Sequence, residues 1–384
     1  MRRAMIAGAG IGGLAAALAL SQSGFAVTVF ERAPALEPFG AGVQLTPNAT
    51  RILARLGVLS EVAALAMAPR AIRVSRGADD AELSSMRLDA AERRWGAPYL
   101  VIHRADLQRV LARAVAQGAD IRLGREVTGM RNVADGVTVS FSSSREETSE
   151  LLIGADGLRS KVRESMGLGR SGGAVFSRRV AFRATMPTAT AAAPEVTLRL
   201  GPSAHLVQYP LREGKLINLV AVIEAGWRGE PSEHPWDGAA DRPALARAFA
   251  GWSPRARALI HNAESWRAWP LFHREPMSNY ADGRVALVGD AAHAMVPFLA
   301  QGAAQAIEDA GTLADRLRGS SDIPAALASY SRARAPRAGR VQREALSQAR
   351  IYHMSGPFAL ARDLAMRTLG AERLLARYDW LYGA

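Results

Sequence analysis

The sequence predicts an α/β protein in three textures: a parallel β–α–β region assembled from separated pieces, an inserted and mainly antiparallel sheet, and a helical C-terminal region. Three observations carry this. The apolar run Ala4-Met5-Ile6-Ala7 meets Gly8, Gly10 and Gly13, and an Ala/Leu-rich helical stretch follows from Leu14 to Leu20. That is a strand entering a helix through a tight turn. Between Gly169 and Ala250, strand-like runs (Val180–Arg183, Val196–Leu200, His205–Tyr209, Leu216–Val222) follow one another through Pro-, Gly- and Ala-rich loops without a clear helix, the pattern of antiparallel pairing. From Asp322 onward the apolar spacing is helical, interrupted at Pro336 and at Gly356-Pro357.

The first element is the most specific. Gly8 permits the turn, Gly10 lets backbone approach a pyrophosphate, and Gly13 lets helix and strand pack closely. The start of the helix then offers unpaired N–H groups and the positive end of its dipole to phosphate. A second strand, Ala26–Phe30, ends at Glu31, about twenty residues past the glycines, where a carboxylate accepts hydrogen bonds from an adenosine ribose. Together these make a Rossmann-like dinucleotide unit. The acid favours a free ribose 2′-OH, hence FAD or NAD over NADP, and the glycines leave FAD and NAD both open.

A loop with Pro34 and Pro38 leads to Gly40-Ala41-Gly42-Val43-Gln44-Leu45-Thr46-Pro47-Asn48. It is either punctuation before the helix of Ile52, Leu53 and Leu56 or a loop facing a cofactor. The region 71–100 is mixed and suggests an excursion out of the first domain. His103-Arg104-Ala105-Asp106 opens an amphipathic helix with Leu107, Val110, Leu111 and Val115 on one face. Val127–Met130 and Val137–Phe141 alternate as strands around an Asp135-Gly136 turn. Leu151-Leu152-Ile153 enters Gly154-Ala155-Asp156-Gly157, and Val285-Ala286-Leu287-Val288 enters Gly289-Asp290. Each is a buried strand ending in a Gly/Asp turn, and a turn alone would explain either.

Composition narrows the function. The chain has 384 residues, room for two or three domains, and no cysteine, which excludes disulfides, thiolate metal sites and a cysteine nucleophile. No metal site is expected. Met1-Arg2-Arg3 before an apolar stretch imitates a secretion signal, but the glycines inside that stretch mark it as part of the fold. No stretch is long and apolar enough to span a bilayer, so a cytoplasmic protein without a membrane partner is expected. The net charge of +12 comes almost wholly from arginine, Lys161 and Lys215 being the lysines. These charges are dispersed among acids, an arginine-biased surface that does not predict a nucleic-acid partner.

The glycines with Glu31, the Gly154–Gly157 turn and the Gly289-Asp290 turn stand in the order that resembles the single-component FAD-dependent aromatic hydroxylases, the para-hydroxybenzoate hydroxylase family. The Gly40–Asn48 loop, His103–Leu107, Pro297-Phe298-Leu299-Ala300-Gln301-Gly302-Ala303 and Trp380-Leu381-Tyr382-Gly383 are similar to the branch of salicylate, 3-hydroxybenzoate 6- and 6-hydroxynicotinate hydroxylases. The resemblance implies FAD as cofactor, with NADH or NADPH as transient co-substrate and O₂ giving a flavin hydroperoxide that hydroxylates a small phenolic acid. It implies that Gly8, Gly10, Gly13, Leu14, Glu31 and Arg32 hold the ADP half of FAD, that Arg104 reaches its phosphates and that Val127 touches adenine. Asp156 would serve FAD and the nicotinamide cofactor. Asp290 would bind the ribityl chain, and Val43, Gln44, Pro297, Gly302 and Ala303 would border the flavin ring. It further implies 1–70, 101–170 and 271–320 as parts of the FAD-binding domain, 71–100 as an excursion toward the substrate domain at 171–270, and 321–384 as the helical region. Ala300 stands where many relatives have glycine, and His273 where many have aspartate.

A phenol attacks electrophilic oxygen well only as its phenolate, so a base is needed near the substrate hydroxyl. His205 and Tyr209, four apart on a strand, project from one face and match a His/Tyr spacing of the 6-hydroxynicotinate branch. They are the catalytic and substrate-binding candidates, with a satisfied sheet histidine and a core tyrosine as the alternatives. Gln44 and Gln301 flank flavin or substrate. Arg183 is the candidate for a substrate carboxylate, with a solvent-facing role equally open, and His293 is read as structural. The other functional reading is an FAD oxidoreductase of the same fold acting on a non-phenolic ring. A homodimer through the helical tail is an open expectation.

Overall fold

The structure is a computed structural model that describes residues 2–36, 41–168, 173–227 and 241–383, with the backbone of 238–239. Pro38, Gly40, Gly169 and the expected boundary at 170/171 lie outside the described residues.

Strand β1 (Arg2–Ala7), helix α1 (Ile11–Gln22) and strand β2 (Phe25–Phe30) form the expected unit. β1 lies at the middle of a six-stranded sheet ordered 281–282, 285–287, 151–154, β1, β2, 119–122. Its pairs are parallel, with Ala4 opposite both Leu151 and Val27, except at the 281–287 hairpin. In a parallel sheet the strands sharing one edge end at the same side. The turns after β1, 151–154 and 285–287 are thereby brought together at the carboxyl edge, where such sheets bind ligands. α1 is apolar on every side because it is buried on every side: it lies between this sheet and the helix Gly302–Leu317, and a Cβ on Gly12 would touch Ala306 at 3.1 Å.

The second sheet has eight strands, ordered 238–239, 267–273, 175–187, 216–224, 204–211, 195–201, 71–76, 82–87. It is antiparallel throughout except where Ala71–Arg76 runs parallel to Glu195–Gly201, so residues from the excursion at 71–100 supply two of its strands. A two-stranded link, Gly42–Leu45 with Leu100–His103, bolts the first loop to the start of the helix Arg104–Val115. In the hairpin of 127–141 the ladder closes with Val133 opposite Gly136, so the turn is Ala134-Asp135 rather than Asp135-Gly136.

The C-terminal region is helical, with one difference from expectation. Ile323–Tyr352 is a single helix that passes through Pro336. Proline removes one backbone hydrogen bond. Against that loss stand the buried faces on both sides, Tyr330, Arg334, Ala338 and Val341. Gly356, at φ +53°, and Pro357 do break the chain as expected before the helix Gly356–Ala376, which Gly370 interrupts in turn at φ +74°. The last helix, Asp379–Tyr382, returns to the body: Arg51 and Arg337 donate to its carbonyls, and Tyr382 packs edge-on against Trp95. Among the described residues no helix is long and apolar enough to cross a membrane.

Candidate active site

The candidate site has two parts, the turns at the carboxyl edge of the parallel sheet and a chamber beside the second sheet. The first is lined by backbone. Gly8 adopts φ +104°, and a Cβ there would lie 2.5 Å from the Ala155 oxygen. On Gly13 it would lie 1.9 Å from the Gly8 oxygen. These two glycines exist so that β1, α1 and the Gly154–Gly157 turn can touch. Gly10 differs, because a Cβ there would meet nothing within 4 Å, so its lack of a side chain is not explained by protein packing. No side chain caps α1, and the Leu14 N–H is spent on Gly10 O at 2.9 Å. The first-turn donors before Leu14 are those a helix start leaves for an anion. The Leu14 side chain itself is fully buried in the core.

Glu31 stands at the tip of β2 and accepts from the N–H groups of Ala9 at 2.7 Å and Ala33 at 3.0 Å, tying the strand tip to the glycine loop. Arg32 is exposed beside it. Val127 is buried at the start of its strand, opposite Phe141. Asp156 accepts from Val162 N at 3.1 Å through one oxygen, while the other is buried without a partner. Burial raises its pKa.

Asp290 follows Gly289, whose φ of +61° requires glycine. The Asp290 side chain is open to solvent but set deep in the cleft. Its low-polarity surroundings raise its pKa, while His293 and Arg104 pull it down. Burial in turn lowers the pKa of Arg104, and Asp290 raises it. The two face each other electrostatically across the cleft, so the opening glycines, Arg104, Asp156 and Asp290 converge on one space.

A buried polar network that sequence reasoning missed fixes this geometry. Asp309 accepts from Gly289 N at 2.8 Å, His293 Nε2 at 2.6 Å and Arg334 Nε at 2.7 Å. Glu308 takes Arg334, Arg337 and Asn48. His293 is thus a structural partner of Asp309. Gln301 belongs to the same network: its amide donates to Thr46 Oγ1 at 2.9 Å and accepts from Asn48 and Gln305, both at 3.1 Å. It is turned into the protein rather than toward a substrate. Glu308 and Asp309, adjacent among the Ala and Ile residues of the helix Gly302–Leu317, were the available signal.

The second concavity is lined by side chains. Its volume is about 430 Å³, within the ~300–1,000 Å³ of small-molecule sites. His205, Val207, Gln44, Tyr99 and the loop Pro297–Ala300 line it, as do Phe358, Met366 and Leu369 of the helix Gly356–Ala376. Tyr99 donates to Gln44 Oε1 at 2.5 Å. Gly302 faces open space and Ala303 packs on the core; neither reaches the chamber. Val43 is half-buried on its strand opposite Ile102.

The expected His205/Tyr209 pair is corrected in one respect. They do share a face with Val207 between them, but lie about 13 Å apart along the strand, and only His205 lines the chamber. Tyr209 is buried beneath Gly42, where a Cβ would stand 2.4 Å from its ring. Arg183 also stays out of the chamber; its guanidinium lies 5.4 Å from the Trp269 ring centroid, and its buried Nε has no hydrogen-bond partner. His205 is 3% exposed. Burial, then His353 and Arg179, hold its pKa well below the ordinary imidazole value, so it is neutral at neutral pH and keeps a lone pair able to accept a proton. Nothing in the structure explains His273, whose Nδ1 is buried without a partner.

An FAD fits the first concavity on these observations: Gly10 is open where a phosphate would approach, buried polar atoms of Asp156 and Arg183 lack partners, and anionic and cationic groups converge from three segments. Residues 2–345 match the family model described as FAD binding domain. The chain is 38% identical to a 3-amino-4-hydroxybenzoate 2-monooxygenase of Streptomyces platensis, over 99% of this chain and 96% of the relative. It is 36% identical to 3-hydroxybenzoate 6-hydroxylase 1 of Aquipseudomonas alcaligenes, over 99% and 97%. Its fold is similar to that of Klebsiella pneumoniae HpxO complexed with FAD and uric acid, with a TM-score of 0.88, 28% identity, and coverage of 98% and 95%.

Proposed function

The chain belongs to the FAD-binding family of flavoprotein aromatic hydroxylases, and from that premise we propose that it uses NAD(P)H and O₂ to hydroxylate a small phenolic acid of the hydroxybenzoate, salicylate or hydroxynicotinate type, with His205 as the base at the substrate hydroxyl. It is an FAD-dependent monooxygenase. The observation that carries the reading is a buried, neutral histidine in the wall of an otherwise largely apolar chamber beside the Pro297–Ala300 loop.

Bound FAD would supply electrons from the nicotinamide cofactor and the activated oxygen. The residues of this chain would do the rest. Gly10 and the first turn of α1 would hold phosphate, with Glu31 on the ribose, Arg104 on the phosphates and Asp290 on the ribityl chain. Pro297 and the N–H groups of Gly302 and Ala303 would border the ring, placing the positive end of the helix Gly302–Leu317 toward developing negative charge. His205 would take the phenolic proton, raising electron density at the carbon attacked, and the apolar walls would exclude water. Residues 1–70, 101–170 and 271–320 would serve the flavin, and 71–100 with 171–270 the substrate. A cytoplasmic location fits the lack of cysteine, and a homodimer would pair through the exposed Phe358, Leu360 and Leu364 of the helical tail.

The test is a panel of hydroxybenzoates, aminohydroxybenzoates and hydroxynicotinates, with urate included, scored for substrate-stimulated flavin reduction and for hydroxylated product. We expect one phenolic acid to stimulate both. Product from urate alone would favour the non-phenolic reading, and purified protein that neither carries nor takes up FAD would overturn the enzymatic one.

A further inference from the structure

The nitrogen of His205 that faces away from the chamber is already in use. Its Nδ1 lies 2.8 Å from His353 Nε2, which leaves Nε2 to meet a substrate. His353 caps the end of the long helix Ile323–Tyr352, 148 residues away in sequence. Its own Nδ1 has two neighbours of opposite character: Glu224 Oε1, an acceptor, at 3.2 Å and Arg179 Nε, a donor, at 3.4 Å. Glu224 ends the strand Leu216–Glu224 with its side chain 39% exposed, and pairs with Arg179 across the sheet. Phe298 and Tyr352 pack against the His205 ring at 5.1 and 5.3 Å, shielding it from bulk water.

We propose that His205, His353 and Glu224 form a proton relay that carries the phenolic proton of the substrate from the buried His205 ring to the protein surface, with Arg179 holding the spent state. The inference rests on His205 being the base and adds where its proton goes. In the ready state His353 Nδ1–H donates to Glu224 and His205 Nδ1–H donates to His353 Nε2, so His205 Nε2 presents a lone pair. The substrate O–H bond breaks as the His205 Nε2–H bond forms. His205 Nδ1–H passes its proton to His353 Nε2, and His353 Nδ1–H passes its own to the Glu224 carboxylate, which releases it to water. The result is a phenolate, two neutral imidazoles in their other tautomers, and one proton outside. His353 Nδ1 is now an acceptor, and Arg179 Nε is the donor placed to meet it. Both tautomers of His353 are therefore satisfied, which an ordinary structural histidine has no need of.

Storing the proton on either ring is the poorer alternative. Burial pushes His353 down to about 4, with Arg179 and Arg362 adding to the cost and only Glu224 opposing it. Burial likewise disfavours charge on His205, as do His353 and Arg179. A proton that cannot rest has to move on.

The experiment mixes FAD-loaded enzyme with 3-hydroxybenzoate, or the acid of the panel that is hydroxylated, in weak buffer with an indicator dye. Ultraviolet absorbance reads phenolate formation, and the dye reads proton release. In the unaltered enzyme both signals rise together. His353→Gln keeps a hydrogen-bonding amide beside His205 but cannot relay. It is expected to slow both signals by about tenfold to a hundredfold and to lower kcat, while flavin content and KM stay unchanged; Glu224→Gln acts in the same direction. Proton release at the unaltered rate in His353→Gln would overturn the relay. His205→Asn separates the two readings: unaltered phenolate formation there would overturn His205 as base. Should His353→Gln fail to retain flavin, turnover of the unaltered enzyme in H₂O/D₂O mixtures decides. Several protons in flight give a curved dependence, and a straight line would overturn the relay.

Discussion

The two concavities are built on opposite terms. The proposed flavin cradle is made largely of backbone. Gly8, Gly13 and Gly289 are fixed by contact or by φ, Gly10 is open, and Arg104, Asp156 and Asp290 converge on the same space. The chamber is made of side chains from five separated stretches, most of them apolar and individually replaceable, around one histidine. Where main chain makes a site, very few residue types will serve. Where side chains enclose a volume, many combinations do.

The sharpest way to break this comparison is within the glycines. Gly13→Ala forces a methyl against the Gly8 oxygen and should abolish folded, flavin-loaded protein. Gly10→Ala adds its methyl to open space; the apo-protein should melt within about 1 °C of the original by calorimetry, surface changes of this kind staying within ~0.5 kcal/mol, yet take up little FAD. Equal FAD uptake by Gly10→Ala would remove phosphate approach as its reason.

Next comes the chamber. His205→Ala should lower product formation by about 10²–10⁴-fold with flavin content unchanged. Because His205 is held neutral, kcat/KM should not fall between pH 8 and about 6.5, the ordinary imidazole value.

The carboxylates divide along the same line. Glu308 and Asp309 are held low by Arg334, Arg337 and His293 against the cost of burial. A depressed pKa gives stability that is fully present above the unfolded value near ~4 and is lost as pH falls through the folded one. Arg334→Leu strands both acids and should cost about 3–5 kcal/mol, read by denaturant melts at pH 7, with a smaller difference at pH 3. Asp156 is raised by burial, so the sign reverses: ionised, it costs stability above its folded pKa, and acid relieves it. Asp290→Asn, at a side chain open to solvent, should leave the apo-protein's Tm within about 1 °C while weakening FAD binding. A lower Tm would show that Asp290 is a structural group. The smallest effect belongs to Ala300, held at φ +53° in the left-handed region. Ala300→Gly should gain at most about 1 kcal/mol, measured as a shift in the denaturation midpoint.

This division explains what could be read in the chain. The strand-turn-helix through Gly8, Gly10 and Gly13, with Glu31 at the tip of the next strand, was legible because spacing along such a unit is local geometry. Gly154–Gly157 and Gly289-Asp290 were legible because parallel strands deliver their turns to one edge. Tyr209 was misjudged because strand periodicity gives a face but not how far along it a cavity extends. Gln301 was misjudged because nothing local reveals that Thr46 and Gln305 take its amide. Pro336 read as an interruption because propensity counts the hydrogen bond lost and not the buried faces on either side. His353 was invisible: a histidine at a helix end has no partner until the fold brings strand 204–211 beside it.

Residues of the helix Gly356–Ala376 line the chamber, and none of the residues proposed to hold flavin lies on it. On the proposed assignment, substrate preference is free to drift through one peripheral segment while redox function stays intact. A library randomised only at Phe358, Met366 and Leu369, screened for yellow protein before activity, would explore new ring substrates without the usual toll in lost cofactor.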